Sequence, residues 1–295
     1  MRYQLIRFAQ SINFILVFVF FLYQPVPTMA EGNPYAVGAR SWGLANAVVA
    51  RYDPMAFSGN IAGIAGTGGA QFFSGVDTYY GFDGLNTLSF GGVIPYSKDL
   101  AVGFSVLRFG DKLYNESNIS LGAGHQIDRI SIGLKVNYLQ TSVNIPSYMA
   151  NHGALVFEMG GIVQLSSKLF LGAHAFNLFR AKYSGEYRTE VPTVLKVGLQ
   201  FEPIKLLKLS VELNKNTDLP ISVLMGAEYQ FYKNVFLRAG LIGKPLSNHF
   251  GVGFVAKKLL FDYALHTNQS LGMSHHLSVG IRFVKQKESI PETGL

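Results

Sequence analysis

Few residues in this chain are placed to carry chemistry. There are seven histidines and no cysteine, so imidazoles and carboxylates are the candidate ligands and proton carriers. No Gly-x-Ser-x-Gly elbow, His-Glu-x-x-His zinc motif or phosphate-binding loop occurs, which removes the common hydrolase, metalloprotease and nucleotide-binding signatures. One histidine pair stands out. His266 and His276 fall on the same face of two consecutive alternating segments and flank the loop between them, so they can approach. A two-histidine metal site needs further ligands, and neither a cysteine nor an obvious nearby carboxylate completes this one. The pair therefore reads as two polar rim residues. Asn115-Glu116-Ser117 and Asn118-Ile119-Ser120 match the glycosylation acceptor pattern, a match that is incidental if the strand pattern of the chain makes it a bacterial barrel. No catalytic residue, metal or cofactor is expected, and the chain reads as a non-enzyme.

The elements that must hold the remaining polar residues are strands. Residues 1–30 stand apart from them. Arg2 and Arg7, an apolar run from Ile12 to Tyr23, then Pro25, Pro27 and Thr28-Met29-Ala30 keep the order of a secretory signal with a small residue at its cleavage point. The run is about a dozen residues, shorter than the ~20 that cross a bilayer as a helix, so removal is expected rather than retention as an anchor. Without Arg2 and Arg7, 25 − 2 = 23 basic residues face 18 acidic ones, a net charge of +5. The basic residues are scattered and nowhere trace a phosphate backbone, so no nucleic-acid partner is expected.

From Gly68 to Phe283 apolar positions alternate with small or polar ones. Leu277, Val279, Ile281 and Phe283 oppose Ser278, Gly280 and Arg282; Leu207, Leu209, Val211 and Leu213 oppose Lys208, Ser210, Glu212 and Asn214. A period of two puts each set on one face of a pleated strand. Fourteen strands are predicted, near 69–80, 86–95, 99–109, 114–126, 129–141, 153–166, 168–178, 192–202, 205–215, 219–231, 234–243, 248–256, 258–267 and 274–284. Six short turns alternate with seven longer loops, among them Thr141 to His152 and Phe179 to Val191. A soluble β-sandwich also alternates, but its polar face would be rich in Lys, Glu and Asp. Charged residues make up only 15% of this chain and the second face is largely Gly, Ser and Ala. The reading is an all-β, 14-stranded antiparallel transmembrane barrel over 68–284, with an N-terminal plug over 31–67 and a polar tail at 285–295. Such barrels have short periplasmic turns and longer external loops, which puts both termini in the periplasm of an outer membrane.

The inward set then includes Lys135, Glu158, Lys196, Lys208, Glu212, Glu228, Arg238, Asp262 and Arg282. About a turn at Pro203-Ile204, Lys196 is expected nearly opposite Glu212; about Tyr232-Lys233, Glu228 is expected nearly opposite Arg238. Opposite charges across strands are favourable and fix register, so both pairs are predicted inside the barrel as lumen-filling, neutralising contacts. Phe170, Phe176 and Leu224 share the inward parity and are expected to pack against the plug or line a path.

Residues 31–67 are rich in Ala and Gly and contain three spaced pieces: Gly38-Ala39-Arg40-Ser41-Trp42-Gly43-Leu44-Ala45-Asn46-Ala47, then Asp53-Pro54 with Ala56, then Asn60-Ile61-Ala62-Gly63-Ile64-Ala65. This resembles the start of FadL-like and PorV/PorQ-like outer-membrane barrels, with Gly38, Arg40, Gly43, Asp53, Asn60 and Gly63 carrying the match. Asn46 stands where a Gly is usual, Asp53 alone keeps an acidic pair, and Ile61 replaces a proline. The resemblance implies a periplasmic hatch of short helices. Trp42 to Ala50 is the expected helix, with Ser41 as its N-cap. The last strand, through Gly280, Ile281 and Phe283, looks like the signal read by the barrel-assembly machinery. The resemblance implies one of two functions. The leading one is an accessory role in type IX protein secretion, as in PorV and PorQ; the alternative is FadL-like passage or binding of a small hydrophobic molecule. Its implied partners are outer-membrane lipid, the assembly machinery, and secretion components or such a molecule.

Overall fold

The computed structural model describes residues 37–284 except 83, 147, 186–189 and 269–270. The expected leader at 1–30, the first plug residues at 31–36 and the tail at 285–295 lie outside the described residues. Fourteen antiparallel strands form one closed barrel: β1 Gly69–Thr78, β2 Asn86–Pro95, β3 Leu100–Gly110, β4 Tyr114–Ile127, β5 Ile130–Ile145, β6 Tyr148–Ser166, β7 Leu169–Phe176, β8 Val194–Ile204, β9 Leu207–Asn216, β10 Ser222–Tyr232, β11 Val235–Ile242, β12 Ser247–Ala256, β13 Leu259–Asn268 and β14 Gly272–Val284. Each strand pairs with its sequence neighbours, and β1 closes on β14 from Gly69↔Val284 to Thr78↔His275. Closure removes the open sheet edge that a membrane interior does not tolerate.

Facing obeys the alternation. On β9, Leu209, Val211 and Leu213 are 39–47% exposed, while Ser210, Glu212 and Asn214 are buried. The exposed face of a soluble sheet would be polar; here it is an apolar belt. On β6 that belt runs from Leu155 through Phe157 and Met159 to Leu165. Ten residues rise ~33 Å along a strand, and at a tilt of ~40° this spans about the 25 Å apolar band of a membrane barrel. The chain is a transmembrane β-barrel, crossing by strands.

One expected loop is a strand pair instead. In place of a connection from Thr141 to His152, Thr141 pairs with His152 and the β5–β6 ladder continues to Ile145↔Tyr148. Alternation with β-branched residues persists through Thr141, Val143 and Ile145, so nothing in the chain stops the hairpin before Pro146. This hairpin carries β5 and β6 beyond the apolar belt at the long-loop end.

Candidate functional site

The lumen is occupied by the segment before β1. It comprises a short helix, α1 (Ala39–Gly43), and two 3-10 turns, Pro54–Ser58 and Ile61–Ile64. The helix is earlier and shorter than Trp42 to Ala50, and Gly38 rather than Ser41 occupies its N-cap. The physical reason lies in the residues just after the helix. Ala45 and Asn46 adopt positive φ, which ends a helix, and the backbone N–H groups of Val48 and Val49 donate to the Glu212 carboxylate at 3.0 and 2.9 Å. A wall carboxylate supplies the acceptor that another helical turn would have supplied.

Six charged side chains join plug to wall. Glu228 on β10 accepts from Arg40 at 3.1 and 3.2 Å, from Arg51, and from Arg238 on β11 at 2.7 Å; Arg238 continues to Asp262 on β13 at 2.6 Å. Arg40 also binds Asp53, which accepts from the Met55 N–H at 2.8 Å and caps the first 3-10 turn. Arg40, Arg51 and Arg238 balance Asp53, Glu228 and Asp262, so the cluster is neutral. Burial alone would push the Asp53 carboxyl up, but the Arg40 and Arg51 guanidiniums outweigh it and hold it below the usual carboxylate range. Burial draws the Arg51 guanidinium down, with Glu228 offsetting part of that effect.

The two expected wall pairs fare differently in geometry. Glu228 stands directly across from Arg238. Lys196 lies across from Asn214, and Glu212 across from Gly198, two residues from the predicted opposition. The β8–β9 turn is at Lys205-Leu206 and the register shifts between Phe201 and Ile204, so a turn centred on Pro203-Ile204 misplaces the partner. Both side chains are buried in the lumen, but Glu212 is spent on the plug backbone. A second polar group holds the other flank. Lys135 binds Glu158 at 2.9 Å and donates to the Phe57 carbonyl at 3.0 Å, and Glu158 also meets His174 at 2.9 Å.

Asn60 is wholly buried. Its Oδ1 accepts from the Ala62 N–H at 3.1 Å, while its Nδ2 reaches the carbonyls of Val49, Gly161 and Ala173 at 2.6, 3.2 and 3.2 Å. It caps a plug turn and bonds to two wall strands at once. Gly63 sits against the Arg51 carbonyl and Ala56, where a Cβ has no room; Gly38 adopts φ +95°, open to glycine at little cost. Gly43 lies against Gly251 of β12, and a Cβ on it would be 3.0 Å from that Cα.

The plug tracks the wall in reverse strand order. Gly43 meets β12 at Gly251, Ala45 meets β11 at Gly240, Val49 and Ala50 meet β7 at Gly172, and Ile61 and Ala62 meet β5 at Gly133. At these inward positions an added Cβ would come within about 3 Å of plug backbone or the facing glycine. The small residues of the polar face are thus a seat for a second chain segment.

At the long-loop end, Trp42 lies flat over His276, His266 and His249, with ring centroids 4.2, 5.1 and 6.2 Å away. His266 and His276, expected as rim residues, are buried and hydrogen-bonded to each other at 2.9 Å, and His276 bonds Asp77 at 2.7 Å. Among the described residues no group of three or more His, Asp or Glu has metal-site geometry. Beside β6–β8, Phe176, Val156 and Val194 pack with Val191, Leu139 and Tyr183. Phe170 meets Tyr52 edge-on at 6.0 Å, and Leu224 is buried. On β14, Gly280 faces the lumen side while Phe283 is exposed on the belt and Ile281 shares its parity.

Among solved structures, the crystal structure of the P. putida toluene transporter TodX covers 86% of this chain and 100% of that one, with a TM-score of 0.67 at 12% identity. The fold is the FadL-type outer-membrane barrel. A Pseudomonas aeruginosa FadL homologue covers 85% and 98%, with a TM-score of 0.60 at 14% identity. The TodX monoaromatic hydrocarbon channel deltaS2 mutant covers 83% and 97%, at 0.65 and 12%. No family model matches the sequence, and no curated protein matches it.

Within this FadL-type fold, sequence reading missed Arg51, His249 and Asp77. His249 and Asp77 carry a usable signal, since both fall on the inward parity of their strands. Arg51 carries none: it lies in irregular backbone, where no period assigns a face.

Proposed function

We propose that this chain is a hatch-closed outer-membrane barrel that binds small hydrophobic molecules and passes them across the membrane, with both termini in the periplasm. The observation that supports it best is the correspondence, over barrel and plug together, with structures described as a toluene transporter and a monoaromatic hydrocarbon channel. The lumen is consistent with it. The charges of the plug cluster balance one another, and the wall beside the plug carries a buried apolar cluster that includes Phe176, Val156 and Val194. The alternation of short turns and long loops supports the orientation. Gly280, Ile281 and Phe283 on the closing strand fit recognition by the assembly machinery, and outer-membrane lipid would surround the belt. An accessory role in type IX secretion, implied by the PorV/PorQ resemblance, has no separate observation in its favour.

The test is uptake of a labelled monoaromatic hydrocarbon by cells with an intact outer membrane, with and without the chain. Uptake several-fold above the empty-vector cells is the expected outcome. Uptake no faster than in those cells, with secretion components co-purifying instead, would overturn this reading in favour of the accessory role.

A further inference from the structure

Trp42 is the only tryptophan of the chain, and it covers a row of imidazoles from three successive strands: His249 on β12, His266 on β13 and His276 on β14. All three are at least 95% buried. His266 Nδ1 and His276 Nε2 are 2.9 Å apart, with ring planes 17° apart and centroids 5.1 Å apart. Rings bonded through their nitrogens at that spacing meet edge to edge, so they form a floor rather than a pile. The His249 centroid lies 4.9 Å from that of His266, at 16°. Tyr79 stands edge-on to Trp42 and to His276, and Tyr80 edge-on to His266. Asp77 on β1 is the charged group bonded to the row.

The network fixes the protons. Asp77 accepts from His276 Nδ1, which leaves His276 Nε2 as an acceptor, so His266 Nδ1 must carry the hydrogen between them. We propose that Trp42 and the His266–His276 pair form a proton-operated latch that holds α1, the leading end of the hatch. The hatch's role in transport rests on the function proposed above; the latch itself rests on this geometry alone.

The first added proton goes to His266 Nε2 and breaks neither bond. It places a cation under the indole face, an attractive arrangement. Within the pair, and with Asp77 still a carboxylate, the second can go only to His276 Nε2. It sets N–H against N–H across 2.9 Å and puts two adjacent positive charges beside a single carboxylate. The pair must then part, and Trp42 loses its floor. His249 does not belong to the switch: its Nδ1 meets the Trp42 carbonyl at 2.8 Å and its Nε2 meets Ser247 Oγ at 3.1 Å, so a proton there adds a donor where acceptors stand. The latch tightens on one proton and opens on two.

The full chain in detergent micelles or vesicles tests this through Trp42 emission from about pH 8 to about pH 4, a span that runs past the range in which exposed imidazoles titrate because burial disfavours the charged form. The expected sequence is quenching without a shift, then a shift to longer wavelength with a several-fold rise in acrylamide quenching. Far-UV circular dichroism of the barrel should stay unchanged throughout. His266→Gln and His276→Gln should each abolish the shift, and His249→Gln should retain it. An unshifted emission in the parent chain with the barrel folded overturns the latch, as does the same shift in both Gln variants. Should a variant fail to assemble, acrylamide quenching of the parent decides, since no rise on acidification contradicts the proposal. Because the readout is the position of Trp42, a failed uptake assay leaves this result standing.

Discussion

Glu228→Gln should undock the hatch while leaving the barrel assembled. Glu228 is 3% exposed and takes guanidinium hydrogens from Arg40, Arg51 and Arg238. The substitution leaves three cations facing only Asp53 and Asp262, so the buried cluster goes from neutral to a net charge of one positive. Removing one partner of a buried ion pair typically costs about 3–5 kcal/mol, because the other charge stays buried and unpaired. Here three strands and the plug share the loss, and the plug is the part free to leave. The absence of native cysteine makes a single-site assay clean: Ser41→Cys puts a thiol on the buried α1, and its maleimide labelling rate reports hatch opening. A cost of ~3 kcal/mol raises that rate about a hundred-fold at ~1.4 kcal/mol per decade. Adding Arg51→Met makes the cluster neutral again and should recover part of the protection, a coupling that a double-mutant cycle isolates. Labelling of the Glu228→Gln chain within about three-fold of its parent would refute the claim that this cluster holds the hatch.

The same thiol reads three further perturbations. Asn60→Ala removes a cap and leaves the Val49 carbonyl, now 2.6 Å from Nδ2, without its donor; a loss of about 2 kcal/mol corresponds to labelling roughly thirty-fold faster, and unchanged labelling would contradict it. In Gly172→Val a Cβ would meet Val49 C and Ala50 Cα at 2.5 and 2.6 Å, so the barrel should assemble with an unseated hatch; a protected thiol in that variant would show that the close approach is dispensable. Asp53 has its folded pKa depressed, so its contribution is fully present above the unfolded value of about 3.9 and is lost as pH falls through the folded one. In a His266→Gln/His276→Gln background, protection should therefore hold from about pH 8 to about pH 4 and then decline, and Asp53→Asn should abolish that decline.

Much of the architecture was legible because a membrane barrel writes itself in a period of two. Leu209, Val211 and Leu213 face lipid and Ser210, Glu212 and Asn214 face the lumen, so strand count, facing and hairpin order come from alternation alone. Register was legible only to within the error in placing each turn. The β10–β11 turn lies at Lys233-Asn234, one residue beyond the expected centre, and a register shift between Gln230 and Tyr232 leaves Glu228 opposite Arg238. The β8–β9 turn lies two residues beyond Pro203-Ile204, which moves Lys196 two residues from Glu212. The plug was legible as a motif but not as a conformation. Its backbone takes hydrogen-bond partners from residues more than a hundred positions away, as Val48 does from Glu212, and no local propensity anticipates that. The imidazole row was legible in part: the approach of His266 and His276 follows from their shared parity, but their burial does not, since the floor becomes a site only when Trp42 arrives from the far end of the chain.

The reverse order in which the hatch meets the wall bears on how the molecule is made. The segment that precedes every strand has partners spread across nearly all of them, and Ala39 donates to Ser278, 239 positions away. That bond has no partner until β14 has formed, and β14 is also the strand that shuts the sheet against β1. The stretch ahead of all fourteen strands is thus the last to find its place. Loop closure over such a distance is entropically unfavourable until the intervening hairpins have shortened the path. Plugging is thereby subordinated to closure, and the part that seals the conduit is kept from obstructing its construction.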